Sequence, residues 1–433
     1  MTLLAASLGL APQPHALMML PFGALLLCIA CCPLLAPTFW EHHYPKVSLG
    51  LGTISLAYYL LVLHAPGRIG HVAQEYVSFI IFIGALFVVA SGVHLRTSGE
   101  ATPLINVLFL GMGAVLANLL GTTGASMLLI RPWIRMNKYR YTSLHTVFFI
   151  FLISNVGGCL TPIGDPPLFL GFLKGIPFFW ITSRCFPAWI VACSLLLAAF
   201  YVLDRRNFRR APDTIRELQT ASETFRIEGR CNFIFLGIIL AAVILTPPSL
   251  IGVREAILVA AAFTSYRLTS PAIYGANHFT FGPIKEVAWL FAGIFATMVP
   301  VLDYLALHAG SLGLTHPLQF YWCTGALSSL LDNAPTYLAF LAVAFGIKGR
   351  SVDDPVQLLG FLDQHSLFVT AVSLGAVFFG AMTYIGNGPN LMVKSICDHA
   401  GVRTPSFFAY ILRYSAPILL PVFAFVGWII LGR

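Results

Sequence analysis

Apolar runs long enough to cross a hydrocarbon layer recur from one end of this chain to the other, and they constrain its fold more than any other feature. A core ~30 Å thick needs about 20 apolar residues per helical span. Plain runs of this kind read at 17–36, 46–64, 76–95, 182–203, 231–248, 252–270, 286–308 and 408–431. Four further segments, 102–131, 143–173, 316–347 and 366–398, are close to 30 residues long and are interrupted near the middle by Gly, Pro or polar residues. With 58% hydrophobic and only 10% charged residues in 433, against the ~25% charge of soluble domains, the chain reads as an all-α integral membrane protein, its main partner a lipid bilayer. The run at 17–36 lacks a basic leader and a small-residue cleavage site, so it reads as a retained first span.

The net charge of +8 does not point to nucleic acid, because the basic residues cluster in a few loops. Nine cysteines lie mostly in apolar segments, and Cys28, Cys31 and Cys32 have no His or acidic companions, so neither a disulfide framework nor a metal centre is expected. There is no Walker-type G-x-x-x-x-G-K-[ST] and no appended catalytic domain. HExxH, paired GxGD aspartates and a Ser–His arrangement are missing too, so the chain is not expected to be an enzyme or to need a cofactor. What remains is a channel or a secondary carrier.

The two halves of the chain resemble each other. FIIFIGALFVVASGVHL from Phe79 aligns with WLFAGIFATMVPVLDYL from Trp289, ANLLGTTGAS from Ala117 with SSLLDNAPTY from Ser328, and GCLTPIGDPPL from Gly158 with GAMTYIGNGPN from Gly380. The offsets are 210, 211 and 222, which one insertion near 348–360 explains. Thr161 falls on Thr383, Gly164 on Gly386 and Pro167 on Pro389.

Taking 102–131 and 316–347 as re-entrant hairpins leaves five crossings in each half, and an odd number inverts the second half relative to the first. The expected organisation is a first repeat at 1–203, a cytoplasmic linker at 204–230 with seven arginines, and a second repeat at 231–433. This arrangement puts 18 basic residues inside and seven outside, as the inner membrane of a cell requires. Treating 102–131 as a full span would put Arg131 to Arg140 on the wrong face.

Irregular backbone at membrane depth is tolerated only where protein or a cavity encloses it, and it leaves helix ends facing the gap. Four breaks meet that description: Gly121-Thr122-Thr123-Gly124, Gly164-Asp165-Pro166-Pro167, Asp332-Asn333-Ala334-Pro335 and Gly386-Asn387-Gly388-Pro389. Pairing each hairpin tip with the broken helix after it gives two sites related by pseudo-symmetry. Asp165 and Asp332 fall on the breaks, and an intramembrane carboxylate is a functional group by default. A low-dielectric setting favours the protonated carboxyl, so each can hold either a proton or a monovalent metal cation. Thr122, Thr123, Thr161, Thr336 and Thr383, with Asn333, Asn387 and Asn390, would complete the oxygen coordination. Asp303 is a candidate proton-entry group near the outer end of its span.

At SNVGGCLTPIGDPP from Ser154, LLDNAPT from Leu330 and YIGNGPN from Tyr384, the chain resembles the ion-transporter superfamily of citrate carriers, dicarboxylate/sodium symporters, arsenite efflux proteins and NhaD-type sodium/proton antiporters. The resemblance implies a homodimer with a scaffold part and a moving part, coupling ions at each hairpin tip and broken helix, and substrate between them. The dicarboxylate symporters carry Ser-Asn-Thr at both tips and a neutral Ser where Asp165 stands. Here the tips read Gly121-Thr122-Thr123 and Asp332-Asn333-Ala334, and TPIGD and DNAP look more like the antiporters. Alternating-access sodium/proton antiport, with sodium or lithium and protons as the ions, is therefore the first expectation. The alternative is a proton- or cation-coupled carrier of citrate or a related di- or tricarboxylate.

Overall fold

The computed structural model describes residues 13–96, 101–209, 226–246, 250 and 252–432. Among these, eight helical segments are long and apolar enough to cross a membrane, or nine if the bent pair at Pro355–Gln364 and Ser366–Met382 is one span. The only sheet among the described residues is two short strands, His94–Arg96 antiparallel to Arg226–Glu228. The chain is an all-α integral membrane protein.

Most of the plain runs become single helices, many opened by Pro in the first turn, where its missing N–H costs no hydrogen bond. The pieces Asn232–Leu245 and Val253–Leu268 are shorter than the runs that predicted them. The linker expected at 204–230 lies largely outside the described residues. Its start is the end of helix Phe178–Phe208, held by the buried pair Arg140–Asp204, and its end is the second strand.

Pro103–Met136 is continuous in hydrogen bonding but turns back at Gly121 (φ 73°, ψ 155°). Asn106 and Asn137 would lie about 46 Å apart along a straight helix, yet the Asn106 amide donates to Asn137 at 2.8 Å. The segment is a hairpin, and it runs past the expected end at 131 because Trp133 is buried and donates to the His145 carbonyl. Helices Pro317–Leu330 and Asn333–Gly346 form the second hairpin, with the Phe320 and Phe340 rings 6.3 Å apart across its arms. The two long segments 143–173 and 366–398 are each broken. The first is Ser143–Leu152, a 3-10 turn at Val156–Leu160 and Pro166–Leu173; the second is Ser366–Phe379, Gly380–Met382 and Gly388–His399.

The helices sort into two packed blocks. Leu20–Leu35, Pro37–Ala57, Pro66–Ser91, Asn232–Leu245, Val253–Leu268 and Gly282–His308 pack among themselves. The two hairpins, the two broken helices, Phe178–Phe208 and Ala416–Leu431 form the other. Contact between the blocks runs mainly through Gly282–His308 against Asn333–Gly346 and Pro66–Ser91 against the first hairpin.

The breaks are closed by the same bonds in both halves. Thr161 donates to the Asn118 carbonyl and Thr383 to the Ser329 carbonyl, each at 2.6 Å. Gly164 and Gly386 each donate their N–H to the Thr hydroxyl three residues earlier at 3.1 Å. A Cβ on Gly164 would stand 2.1 Å from the Gly158 carbonyl oxygen, so backbone would have to move. Gly164→Ala should therefore destabilise the protein by about 1–3 kcal/mol. Thermal unfolding in detergent should show this drop, while Gly388→Ala, at a position with open space, melts close to the unaltered protein.

Candidate functional site

Asp165 stands at the centre of the four breaks. It precedes Pro166-Pro167, whose missing N–H groups and fixed φ start helix Pro166–Leu173 directly after it. Its side chain is 1% exposed and accepts three hydrogen bonds from three different elements. Thr122 of the first hairpin tip donates to Oδ1 at 2.8 Å, Asn387 of the second broken helix to Oδ1 at 3.1 Å, and Asn333 of the second hairpin tip to Oδ2 at 2.6 Å. The Thr122 N–H also donates to the Gly164 carbonyl at 2.7 Å, tying the first tip to the first break through backbone. The two expected sites thus meet at one carboxylate shared by both halves.

Asp332 is only partly buried and caps its own helix, accepting from the Ala334 N–H at 3.0 Å. It faces a cavity of about 130 Å³, many times the ~10–15 Å³ that one water needs. Gly121 to Gly124, Gly164, Pro166, Asp332, Asn333 and Asn387 to Pro389 form its polar floor. Its walls are apolar, chiefly Phe82, Leu86 and Phe87 of Pro66–Ser91 and Ile284, Val287 and Phe291 of Gly282–His308. Among the described residues, no Lys, Arg or His lines it.

Four helix N-termini reach the floor, beside Leu120 at the C-terminal end of the first hairpin's first arm. Residues 121–124, Pro166, Asn333 and Gly388 belong to the first turns of four helices, whose ends point at the floor although Pro166, Pro167, Pro335 and Pro389 carry no N–H and the Thr122 N–H is spent on Gly164. Each such end carries roughly half a positive charge. The floor therefore combines four electropositive helix starts with the Asp332 carboxyl group, and the buried Asp165 carboxyl lies beneath it; this arrangement can hold an anion and a neutralising cation or proton together.

Of the residues singled out by sequence, Thr122, Thr123, Gly164, Asp165, Asp332, Asn333 and Asn387 come together here. Thr161 and Thr383 spend their hydroxyls on hairpin carbonyls, and Thr336 donates to the Asp332 carbonyl at 3.0 Å. Gly386 sits beside Gly380 and Ser328 backbone in the second break. Asn390 donates to the Gly380 and Thr383 carbonyls and accepts from Asn155, holding that break in shape. Asp303 lies away from the cavity and bonds Tyr59 and Arg68.

Sequence reasoning missed two contributors. Asn118 holds the first break open, accepting from the Leu160 N–H and donating to the Gly157 carbonyl. A polar side chain one turn before a hairpin tip was the available signal. The apolar walls gave none, since a Phe facing a cavity and a Phe facing a core read alike.

The sequence profile of the family described as "Putative citrate transport" matches residues 12–431. A relative described as a "46 kDa membrane protein", from Mycobacterium leprae (strain TN), is 25% identical over 349 residues, covering 76% of this chain and 77% of that protein. The profile spans nearly the whole chain, which therefore belongs to this citrate-transport family, within the citrate transporter-like ion-transporter superfamily.

Removing the Asp165 carboxylate leaves three buried donors without an acceptor, each costing about 1–3 kcal/mol. Asp165→Ala should lower the unfolding midpoint in detergent well below that of Thr123→Ala, which interrupts none of these bonds. Equal midpoints would mean that the Asp165 bonds do not hold the four breaks together.

Proposed function

We propose that this member of the citrate-transport family is an alternating-access secondary transporter that carries citrate or a related di- or tricarboxylate, coupled to protons or to a cation. The observation that carries this reading is the convergence of four helix N-termini on one cavity floor that holds Asp332, with Asp165 buried beneath it. The helix starts attract carboxylate oxygens, each contributing about 0.3–1 kcal/mol at exposed sites and up to ~2 kcal/mol when partly buried. A polyanion arriving alone would face Asp332, with Asp165 beneath it, and among the described residues no basic side chain in the lining offsets them. It enters with a proton or metal cation that neutralises the acids, and this requirement is the coupling. The family description supports the carboxylate.

Sodium/proton antiport is the second reading, and one observation favours it: among the described residues, the formally charged side chains lining the cavity or lying beneath it are acidic. In that case Asp165 and Asp332 exchange a proton for sodium or lithium and the helix starts merely offset their charge. We further place the protein in the cell inner membrane, with the 204–230 linker cytoplasmic and, by resemblance, as a homodimer.

Proteoliposomes with an internal pH dye and labelled citrate separate the two readings. Under an imposed pH or cation gradient, citrate should accumulate, and Asp165→Asn should cut the gradient-driven part by about tenfold or more, as the loss of ~1.4 kcal/mol of coupling would. If sodium or lithium collapses the pH gradient without citrate, and citrate does not move, antiport replaces carboxylate transport.

A further inference from the structure

The two helices that wall the cavity carry a second cluster of charge at their opposite ends. Phe87 and Ile284 line the cavity, whereas Arg68 and Glu75 lie toward the other end of Pro66–Ser91 and Asp303 toward the other end of Gly282–His308. Ile284 and Asp303 are separated by about 28 Å of helix. At that far end Arg68 bridges Asp303 at 2.7 Å and Asp353 at 2.8 Å, and Lys174 bridges Asp353 at 2.7 Å and Glu75 at 2.9 Å. The Tyr59 hydroxyl donates to Asp303 at 2.7 Å, and His71 lies 3.1 Å from Glu75.

The pairing crosses the boundary between the two helix blocks. Arg68, Glu75 and Asp303 belong to the block containing Pro66–Ser91 and Gly282–His308. Lys174 ends the first broken helix, and Asp353 lies in the loop that leads to the second. The Lys174 side chain is 2% exposed, Glu75 7% and Asp303 8%, so water screens the Lys174–Glu75 and Arg68–Asp303 pairs little, and the pairs of the more exposed Asp353 somewhat more. Beside them Gly346 packs so closely on Ala306 that a Cβ there would stand 2.4 Å from its carbonyl oxygen. His71, Glu75 and Asp353 could form a metal cluster, but the Lys174 ammonium already bonds both acids. Burial alone would raise the Asp353 carboxyl, but Lys174 and then Arg68 bring it down to about 2. The contribution of the Asp353 pairs is therefore fully present above the ordinary carboxylate range and is lost as pH falls from that range toward 2.

We propose that Arg68, Glu75, Lys174, Asp303 and Asp353 form an ionic latch that closes the face of the protein opposite the cavity mouth, and that breaking it is a step of the transport cycle. The latch is one-sided. Extending the repeat offsets puts His278, Lys285 and Ile396 at the positions of Arg68, Glu75 and Lys174, so the second half cannot build the same set at the other face. A carrier with unequal gates rests with one side shut, and here the shut side is the one with the ion pairs. Removing a pair should shift the resting population toward opening at that face, because only the closed state holds the contacts.

The inference rests on the alternating-access reading, yet its test needs no substrate, so it stands or falls apart from the question of citrate. Full-length protein with its native cysteines replaced and Val287→Cys as a cavity reporter is placed in vesicles of known sidedness and treated with a membrane-impermeant maleimide. With the latch intact, labelling should come from the mouth face alone. Lys174→Met and Asp353→Asn should each raise labelling from the latch face by about tenfold, the population shift equal to ~1.4 kcal/mol, while labelling from the mouth face falls. The conservative variant Lys174→Arg, which can keep both of its ion pairs, should leave latch-face labelling as low as in the unaltered protein. Unchanged latch-face labelling in both single variants would overturn the proposal. So would a rise from both faces together, which would make the network a packing element instead of a gate.

Discussion

In a membrane, a backbone N–H or C=O without a partner cannot turn to water, and this one constraint governs the structure. Four helices are interrupted at depth, and each interruption would be costly in lipid. They persist because they satisfy one another. Thr161 and Thr383 close onto hairpin carbonyls, the Thr122 N–H closes onto Gly164, and Asn118 and Asn390 fill the remaining gaps. Asp165 is the common acceptor that brings three of the four breaks against its own. With its carboxylate removed, the broken helices have no shared centre.

The same arrangement that satisfies the backbone creates the electrostatics of transport. Ending helix pieces of both halves near one point leaves their electropositive starts exposed to a cavity, with Asp332 at its edge and Asp165 beneath it. The surrounding walls come from a different helix block, joined to the first mainly along two seams. A polar centre carried by one block and apolar walls provided by the other suit sliding of one against the other. The ion pairs at Arg68 and Lys174 span that boundary at the far end, where the two blocks are drawn together.

Much of this was legible in the sequence. Apolar runs gave the helices, Arg131 to Arg140 required the first hairpin to turn back, and the aligned halves located all four breaks. The carboxylates were found because charge is rare in such segments. Contacts across the halves were not legible: nothing in local spacing joins Asp165 to Asn333 and Asn387, which are 168 and 222 residues away. The threonines illustrate the same limit. Thr122 and Thr161 are equally plausible ligands by type, but only the folded chain reveals that Thr161 is consumed by a hairpin carbonyl while Thr122 reaches the carboxylate. Asp303 looked like a lone acid near a helix end because Arg68 and Tyr59, its partners, lie more than 230 residues before it.

In the proposed carrier, Asp165 makes binding of a carboxylate anion depend on a neutralising proton or cation. Calorimetric titration of purified, detergent-solubilised protein with citrate, with and without sodium or magnesium and across pH, tests this directly. The account predicts cation- or proton-dependent citrate binding by the unaltered protein, and binding by Asp165→Asn that is much less dependent on either. Identical dependence in the two proteins, or citrate binding by neither while sodium binds both, would contradict it.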